Sequence, residues 1–355
     1  MHAEGDTPHD GCHARSVANA PGPVTYAGLA SGVGRQPGYM DQNTPAITVS
    51  GLRRSYGRRA QAFEAVRGVD LEVARGSVTA LLGTNGAGKT STLEVVEGLA
   101  EGTAGVVRVL GLDPLKDRAE VRRRTGVLLQ RSGFSGALTV RETLAMWAST
   151  LTRPRSVDEA LGMLRLDDRA EVRVVGLSGG EQRRLDLACT LMGDPEVVML
   201  DEPTTGLDPE SRRDVWRLVE GLRDAGVGIL LTTHYLEEAE ALADHLLIMH
   251  EGRIVRSGSP ADIAAGQAAT ITFATLPRPV EVLVGLPVAD DHGLTTVETH
   301  DLQATLTDLL SWAAHHDVRL ERLSASEAGL EAAFLAVAEG EPAPSTPRAL
   351  EGRTR

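Results

Sequence analysis

Lysine is nearly absent from this chain. Of the 36 basic residues among 355, only Lys89 and Lys116 are lysines, so each stands out. Cysteine is equally scarce: Cys12 and Cys189 are too few for a disulfide framework and suit a reducing compartment. Aromatic residues amount to 3%, which argues against a stacking surface for single-stranded nucleic acid. Cationic charge is in deficit, with 36 Lys plus Arg against 49 Asp plus Glu and a formal charge of −13, so no nucleic-acid partner is expected. Apolar runs such as 197–200 and 246–249 fall far short of the roughly 18 residues that read as a membrane-spanning helix. The amino terminus has no basic start followed by an apolar stretch, so no secretory signal is expected and the cytoplasm is the default. What remains is an ordinary globular balance, 42% hydrophobic and 24% charged, in a length that allows two domains.

Residues 1–45 are rich in Gly, Pro, Ala and His and carry no sustained apolar period, so a disordered extension is expected there. His9, Cys12 and His13 lack a further ligand pair for a metal, and Met40 is a candidate native start. From 46 to 260 short β-branched runs alternate with helical patterns, which predicts an α/β domain with a largely parallel sheet. Strands are expected at 78–82, 126–129, 197–200 and 228–232, after a first strand-like run at 46–50. Helices at 141–149, 157–164 and 181–192 form a helical insert. Beyond Pro260 the composition shifts: 261–340 holds 12 acids against 3 arginines, a net of −9, whereas 46–260 holds 31 acids against 28 bases, a net of −3. A small α+β accessory domain is expected over 261–340, with strands near 270–275, 280–286, 294–299 and 318–323 and a helix over 301–316. Its last helix opens with Ser324 and Glu327 in capping-box spacing and carries Leu330, Phe334 and Val337 on one face. Residues 341–355 read as a disordered tail.

The segment Gly83-Thr84-Asn85-Gly86-Ala87-Gly88-Lys89-Thr90 matches G-x-x-x-x-G-K-[ST], after an apolar strand and before a helix. Such glycines let the backbone fold into a nest of N–H donors, the helix points its positive end at phosphates, and the lysine adds a point charge toward the β and γ groups. The Thr90 hydroxyl is placed for Mg²⁺. A Gly-rich surface turn shares the composition, but it gives no reason for one of two lysines to stand here. Downstream, the run 197–200 ends in Asp201 and Glu202, at the carboxyl end of a buried strand. Asp201 is expected to hold Mg²⁺, directly or through water, and Glu202 to polarise the attacking water as general base.

Leu177-Ser178-Gly179-Gly180-Glu181-Gln182, shortly before that strand, resembles the signature motif of ATP-binding-cassette ATPases. With the phosphate loop, it identifies the chain as a member of the P-loop NTPase family of ABC-type ATPases over about 47–260. The resemblance implies an ATPase with ATP and Mg²⁺ as cofactors, in which two cassettes sandwich two nucleotides head to tail. Ser178, Gly179 and Gly180 would then grip a γ-phosphate held by the opposite subunit. It further implies that Tyr56, rather than nearby Phe63, stacks on adenine and that Gln130 contacts Mg²⁺ and the lytic water. Asp208 would lie in the loop crossing the dimer interface, where it also suits a helix N-cap, and His234 would be the switch histidine that touches the γ-phosphate and orients the base. Cys189 reads as a small buried side chain. Lys89-Thr90-Ser91 departs from the usual Lys-Ser-Thr order but keeps a hydroxyl at the metal position.

Two further stretches are similar to daunorubicin-resistance-type exporter ATPases: 326–335, with its Leu, Glu, Phe, Leu order, and 133–142. That resemblance implies a peripheral subunit on the cytoplasmic face of the membrane. It would power a separate integral-membrane permease and pair with a second ATPase subunit, a homodimer being favoured over a heterodimer. The permease would meet the surface around 130–144, with Phe134 either a contact or a local packing residue. The alternative, a soluble cassette ATPase acting on nucleic acid or ribosomes, would call for a coiled-coil insertion or a second cassette in the chain.

Overall fold

The computed structural model describes residues 44–57, 62–130, 133–265, 267–277, 280, 285–327 and 329–338. His9, Cys12, His13, Met40 and the 341–355 tail lie outside them, as does most of the expected strand at 280–286. The chain begins with β1 (Ile47–Tyr56), β2 (Phe63–Val73) and β3 (Val78–Leu82), followed by α1 (Lys89–Val96), β4 (Ala104–Val109), α2 (Arg118–Arg124) and β5 (Thr125–Leu128). Next come the helices α3 (Val140–Ala148), α4 (Val157–Met163) and α5 (Gly179–Leu191), inserted before β6 (Val197–Asp201). Then follow α6 (Pro209–Asp224), β7 (Gly228–Thr233), α7 (Leu236–Leu242), β8 (His245–His250) and β9 (Arg253–Gly258).

Among the described residues, the central sheet runs β5-β6-β7-β3-β8-β9, parallel except for the last pair. Every residue of β3, β6 and β7 is buried. That double-sided burial explains why these strands read as unbroken apolar runs. The pleat divides them between two cores: Val198 and Leu200 face one, Val197 and Met199 the other. The first core is capped by the inserted helices together with α6 and α7. The second is closed by the antiparallel sheet β2-β1-β4 and by α1. Helices α3, α4 and α5 each start at a reciprocal capping box, Thr139 with Glu142, Ser156 with Glu159 and Ser178 with Glu181.

Beyond β9 come α8 (Pro260–Ala265), β10 (Ala269–Ala274), β11 (Val288–Asp291), β12 (Leu294–Thr299), α9 (Leu302–His315), β13 (Ser324–Ser326) and α10 (Leu330–Ala338). The second sheet runs β11-β12-β10-β13, and α9 covers a small core of Ile271, Phe273, Val297 and Leu309. Two expectations are corrected here. The stretch 318–323 is irregular, and pairing falls instead on Ser324–Ser326, which align antiparallel with Thr270–Thr272. Ser324 therefore cannot cap the last helix, which starts at Leu330. Leu330 and Ala333 are buried against the first core, with Phe334 packed beside them, and the Leu330 N–H points at Glu240 of α7 at 3.4 Å. The final helix thus packs on the central-sheet unit. Leu330→Ala is expected to cost about 2–4 kcal/mol of that unit's stability, by lost burial plus a residual cavity. Denaturant unfolding followed through Trp216 of α6 measures it; an unchanged midpoint would mean that α10 is not stapled there.

Candidate active site

The strand register sets the site. Leu128 pairs with Leu200, Asp201 with Thr232, and Leu82 with Thr233, so β5, β6, β7 and β3 end along one edge. The residues just past those ends are Gln130, Glu202, His234 and Gly83, which is how positions far apart in sequence converge.

Between β3 and α1, the loop from Gly83 through Thr84, Asn85, Gly86 and Ala87 to Gly88 is closed by backbone packing. A Cβ on Gly83 would lie 2.5 Å from the Met249 carbonyl oxygen, and one on Gly88, whose φ is 109°, would lie 2.5 Å from that of Ala65. Gly88 also begins α1 with no side-chain cap, whereas α3 to α6 are all capped. The first N–H groups of α1 are thereby left without side-chain acceptors. Lys89 is buried and donates from Nζ to the Gly83 carbonyl at 2.7 Å and the Thr84 carbonyl at 3.2 Å. Burial pushes its pKa down, opposed by the Glu202 and Asp201 carboxylates. Ser91 Oγ lies 3.1 Å from the Tyr56 hydroxyl, tying the expected adenine platform to this loop. Tyr56 is 43% exposed, with the Arg54 guanidinium 4.6 Å from its ring centroid. Phe63, its partner across the β1–β2 pair, is still more exposed.

Asp201 accepts the Thr232 hydroxyl and faces Thr90 Oγ1 at 3.5 Å through its other oxygen. Glu202 is 9% exposed. Its Oε2 accepts from Gln130 Nε2 at 3.3 Å and Thr205 Oγ1 at 3.2 Å, while His234 Nδ1 stands 3.1 Å from Oε1, off the hydrogen-bond line. Gln130, Glu202 and His234 are therefore one cluster, beside Asp201 and the Thr90 hydroxyl. The Thr90 and Asp201 oxygens form a hard donor set of the kind that suits Mg²⁺.

The Ser178–Gly180 segment sits elsewhere. It opens α5, exposed at Ser178 and Gly179, and among the described residues no hydrogen bond joins it to the Gly83–Ser91 loop. It does adjoin Asp208, which caps α6 by accepting from the backbone N–H groups of Glu210 and Ser211 and from the Ser211 hydroxyl. A Cβ on Gly180 would come 2.7 Å from Ser211 Oγ. The Ser211 hydroxyl leads the contacts that hold the Asp208 carboxyl below its usual pKa.

Comparison with known proteins decides the family. The family described as ABC transporter matches residues 66–205, and one described as ABC transporter domain-containing protein-like, C-terminal domain, matches 263–329. Over 228 residues the chain is 41% identical to Nod factor export ATP-binding protein I of Paraburkholderia xenovorans (strain LB400), covering 62% of this chain and 73% of that one. The chain belongs to the ABC transporter ATP-binding family. It is also 41% identical over 226 residues to Daunorubicin resistance ATP-binding protein DrrA3 of Streptomyces coeruleorubidus, covering 62% of this chain and 70% of that one. A solved structure of an ATP-binding subunit of an ABC transporter superposes with a TM-score of 0.56 at 28% identity, over 63% of this chain and 93% of the other. The cassette is an ATPase by family, and these export relatives set aside the nucleic-acid alternative.

Two residues around the cassette's edge, Arg183 and Glu238, escape sequence reasoning, whereas Cys189 and Phe134 are read from it. Arg183, on α5, reaches four backbone carbonyls at the ends of β5 and β6. Glu238 of α7 is fully buried, which raises its pKa. The Thr233, Thr204 and Trp216 side chains oppose that rise, although none meets the carboxylate in hydrogen-bond geometry. Cys189 is buried and its thiol is pushed up to about 12, the behaviour of an inert packing residue. Phe134 is half-buried, packs against the first core and meets Trp147 edge to face at 6.3 Å, a local packing contact; Leu129, Met146, Trp147 and Val175 are exposed apolar groups nearby.

Glu97, just past α1, is buried with one carboxylate oxygen unpartnered. Burial, then Asp201 and Glu94, raise its pKa from 4.5 to about 7. The stability it contributes is present below pH 4.5 and lost as pH rises through 7, because the folded state holds the proton longer than the unfolded one. Glu97→Gln should therefore be more stable than the parent at pH 8 by about 3 kcal/mol, with the gap closing toward pH 4.5. Urea midpoints across that range test this, and parallel stability curves would refute it.

Proposed function

We propose that the chain is the ATP-hydrolysing motor subunit of an exporter for an antibiotic-like or other hydrophobic molecule. The observation that carries this reading is the contact of Glu202 with both Gln130 and His234 at the edge where the Gly83–Gly88 loop opens. ATP binds with its phosphates in the nest of Gly83 to Lys89 and its adenine against Tyr56. Lys89 exchanges its two loop carbonyls for phosphate oxygens. Ser91 binds the nucleotide beside Tyr56, while Thr90, Gln130 and Asp201 line the metal side; Thr90 and Asp201 would hold Mg²⁺ and Gln130 would reach it, and the ion would supply charge neutralisation to the phosphates. Glu202 takes the proton of the attacking water, with Gln130 orienting that water and His234 holding the carboxylate and meeting the γ-phosphate. Ser178, Gly179 and Gly180 serve a second copy's nucleotide, an arrangement supported by their exposure and their separation from the chain's own loop. Asp208, beside Gly180, lies at that interface.

The partner is a separate integral-membrane permease, and the cassettes pair as a homodimer on the cytoplasmic face. Two findings support the separate permease: export relatives, and the lack, among the described residues, of any helix long and apolar enough to cross a membrane. Residues 46–260 form the motor and 261–340 an accessory domain whose closing helix grips it.

Glu202→Gln should lower turnover by about 10²–10⁴-fold while leaving ATP binding intact, and it should trap an ATP-dependent dimer on size exclusion. Hydrolysis at the parental rate would remove Glu202 as the base. Tagged chain recovered from solubilised membranes should bring down a polytopic permease, and recovery only from the cytosol would overturn the transport reading.

A further inference from the structure

Arg183 is buried in the first turns of α5, five residues beyond Ser178. Its guanidinium donates from Nε to the Pro203 carbonyl at 2.9 Å, from Nη1 to the Leu129 carbonyl at 2.8 Å, and from Nη2 to the Asp201 and Glu202 carbonyls, both at 2.9 Å. Among the described residues its one ion-pair partner is Asp186, 3.9 Å away, so the fork is spent on backbone. Those four carbonyls bracket the reacting groups: Asp201, Glu202 and Pro203 enclose the Glu202 backbone on both sides, and Leu129 immediately precedes Gln130.

The Glu202 backbone needs holding. Its φ is 47°, in the left-handed region that a residue with a Cβ avoids. Its N–H is anchored by the Thr232 carbonyl at 3.1 Å and the Thr232 hydroxyl at 3.2 Å. Its carbonyl, on the opposite side, is anchored by Arg183. A planar fork satisfies several acceptors in fixed directions, which a lysine ammonium on a flexible stem does not.

We propose that Arg183 is a positioning residue for ATP hydrolysis: it fixes the left-handed Glu202 backbone and the Leu129–Gln130 peptide so that the base and its orienting amide face the same water. Because Arg183 and Ser178 share α5, the segment that meets the opposite nucleotide is tied through one side chain to the base. This rests on the assignment of Glu202 as base, and the experiment separates the two claims.

Parent, Arg183→Lys, Arg183→Gln, Glu202→Gln and the Arg183→Lys/Glu202→Gln double variant are compared in single-turnover ATP hydrolysis, fluorescent ATP-analogue binding and thermal unfolding. Arg183→Lys is expected to lower the hydrolysis rate by about 100-fold, the cost of a slightly misplaced group, with analogue affinity within about 3-fold of the parent. In the Glu202→Gln background the same change should slow hydrolysis by far less than about 100-fold, because the base is gone and only the Gln130 amide remains to be positioned. Arg183→Gln, which lacks the charge and the fork, should match or exceed the loss from Arg183→Lys. A parental rate in Arg183→Lys overturns the positioning role while leaving Glu202 as base. Multiplying losses in the double variant, or equal falls in affinity, rate and melting temperature, would assign Arg183 to stability alone and overturn it. So would failure of both single variants to fold. A parental rate in Glu202→Gln removes the base assignment and the positioning claim with it.

Discussion

Two adjacent carboxylates, Asp201 and Glu202, end a strand whose five residues are all buried, and each is under a tenth exposed. Charges so placed lose most of their hydration, and that penalty must be offset locally. The surroundings answer with directed donors: the Thr232 hydroxyl on Asp201, Gln130 and Thr205 on Glu202, His234 beside it, and Lys89 and Arg183 as the nearby cations. They come from several elements, so the phosphate loop, the ends of β5 and β7 and the signature helix are bound to one electrostatic requirement. Parallel strands make this possible, because only parallel strands in register present their carboxyl ends along one edge.

That dependence also explains what could be read in advance. Strands β3, β6 and β7 were legible because double-sided burial leaves continuous apolar runs, and β5, half-buried at the sheet edge, was still placed to within one residue. The antiparallel sheet was largely missed. Its strand β2 carries charged residues and Gly68 along a partly exposed face, and β1 pairs through three register shifts, so no clean alternation survives in the sequence. The stretch 318–323, with Val318, Leu320 and Leu323 among charged residues, looked more strand-like than Ser324–Ser326, yet the open edge of β10 selected the small residues, a choice made by tertiary pairing. At the site, short motifs marked the phosphate loop, Asp201, Glu202 and His234. Glu97 and Arg183 had no such marker, since a buried carboxylate and a carbonyl-binding guanidinium follow from chain packing that no local spacing encodes.

The acidic excess has a structural address. Most of it falls in 261–340, around a third, smaller core in which, among the described residues, only Ile271, Phe273, Val297 and Leu309 are fully enclosed. Few apolar groups bury well in a unit this small, and such units gain stability by docking. Helix α10 supplies the dock: Leu330 and Ala333 join the first core beside α7, the helix directly after His234. The appendage is therefore fastened near His234.

The scarcity of lysine takes its meaning from comparing the two buried cations. Lys89 holds two loop carbonyls with an ammonium whose charge burial disfavours, so in the proposed site its bonds are readily exchanged for those of an arriving phosphate. Arg183 holds four carbonyls of the strand ends with a fork that stays charged when buried, which suits a fixture. In a chain that otherwise draws almost all its positive charge from arginine, a lysine stands where the cation must let go of protein to take hold of ligand. The arginine stands where letting go would release the left-handed turn at Glu202.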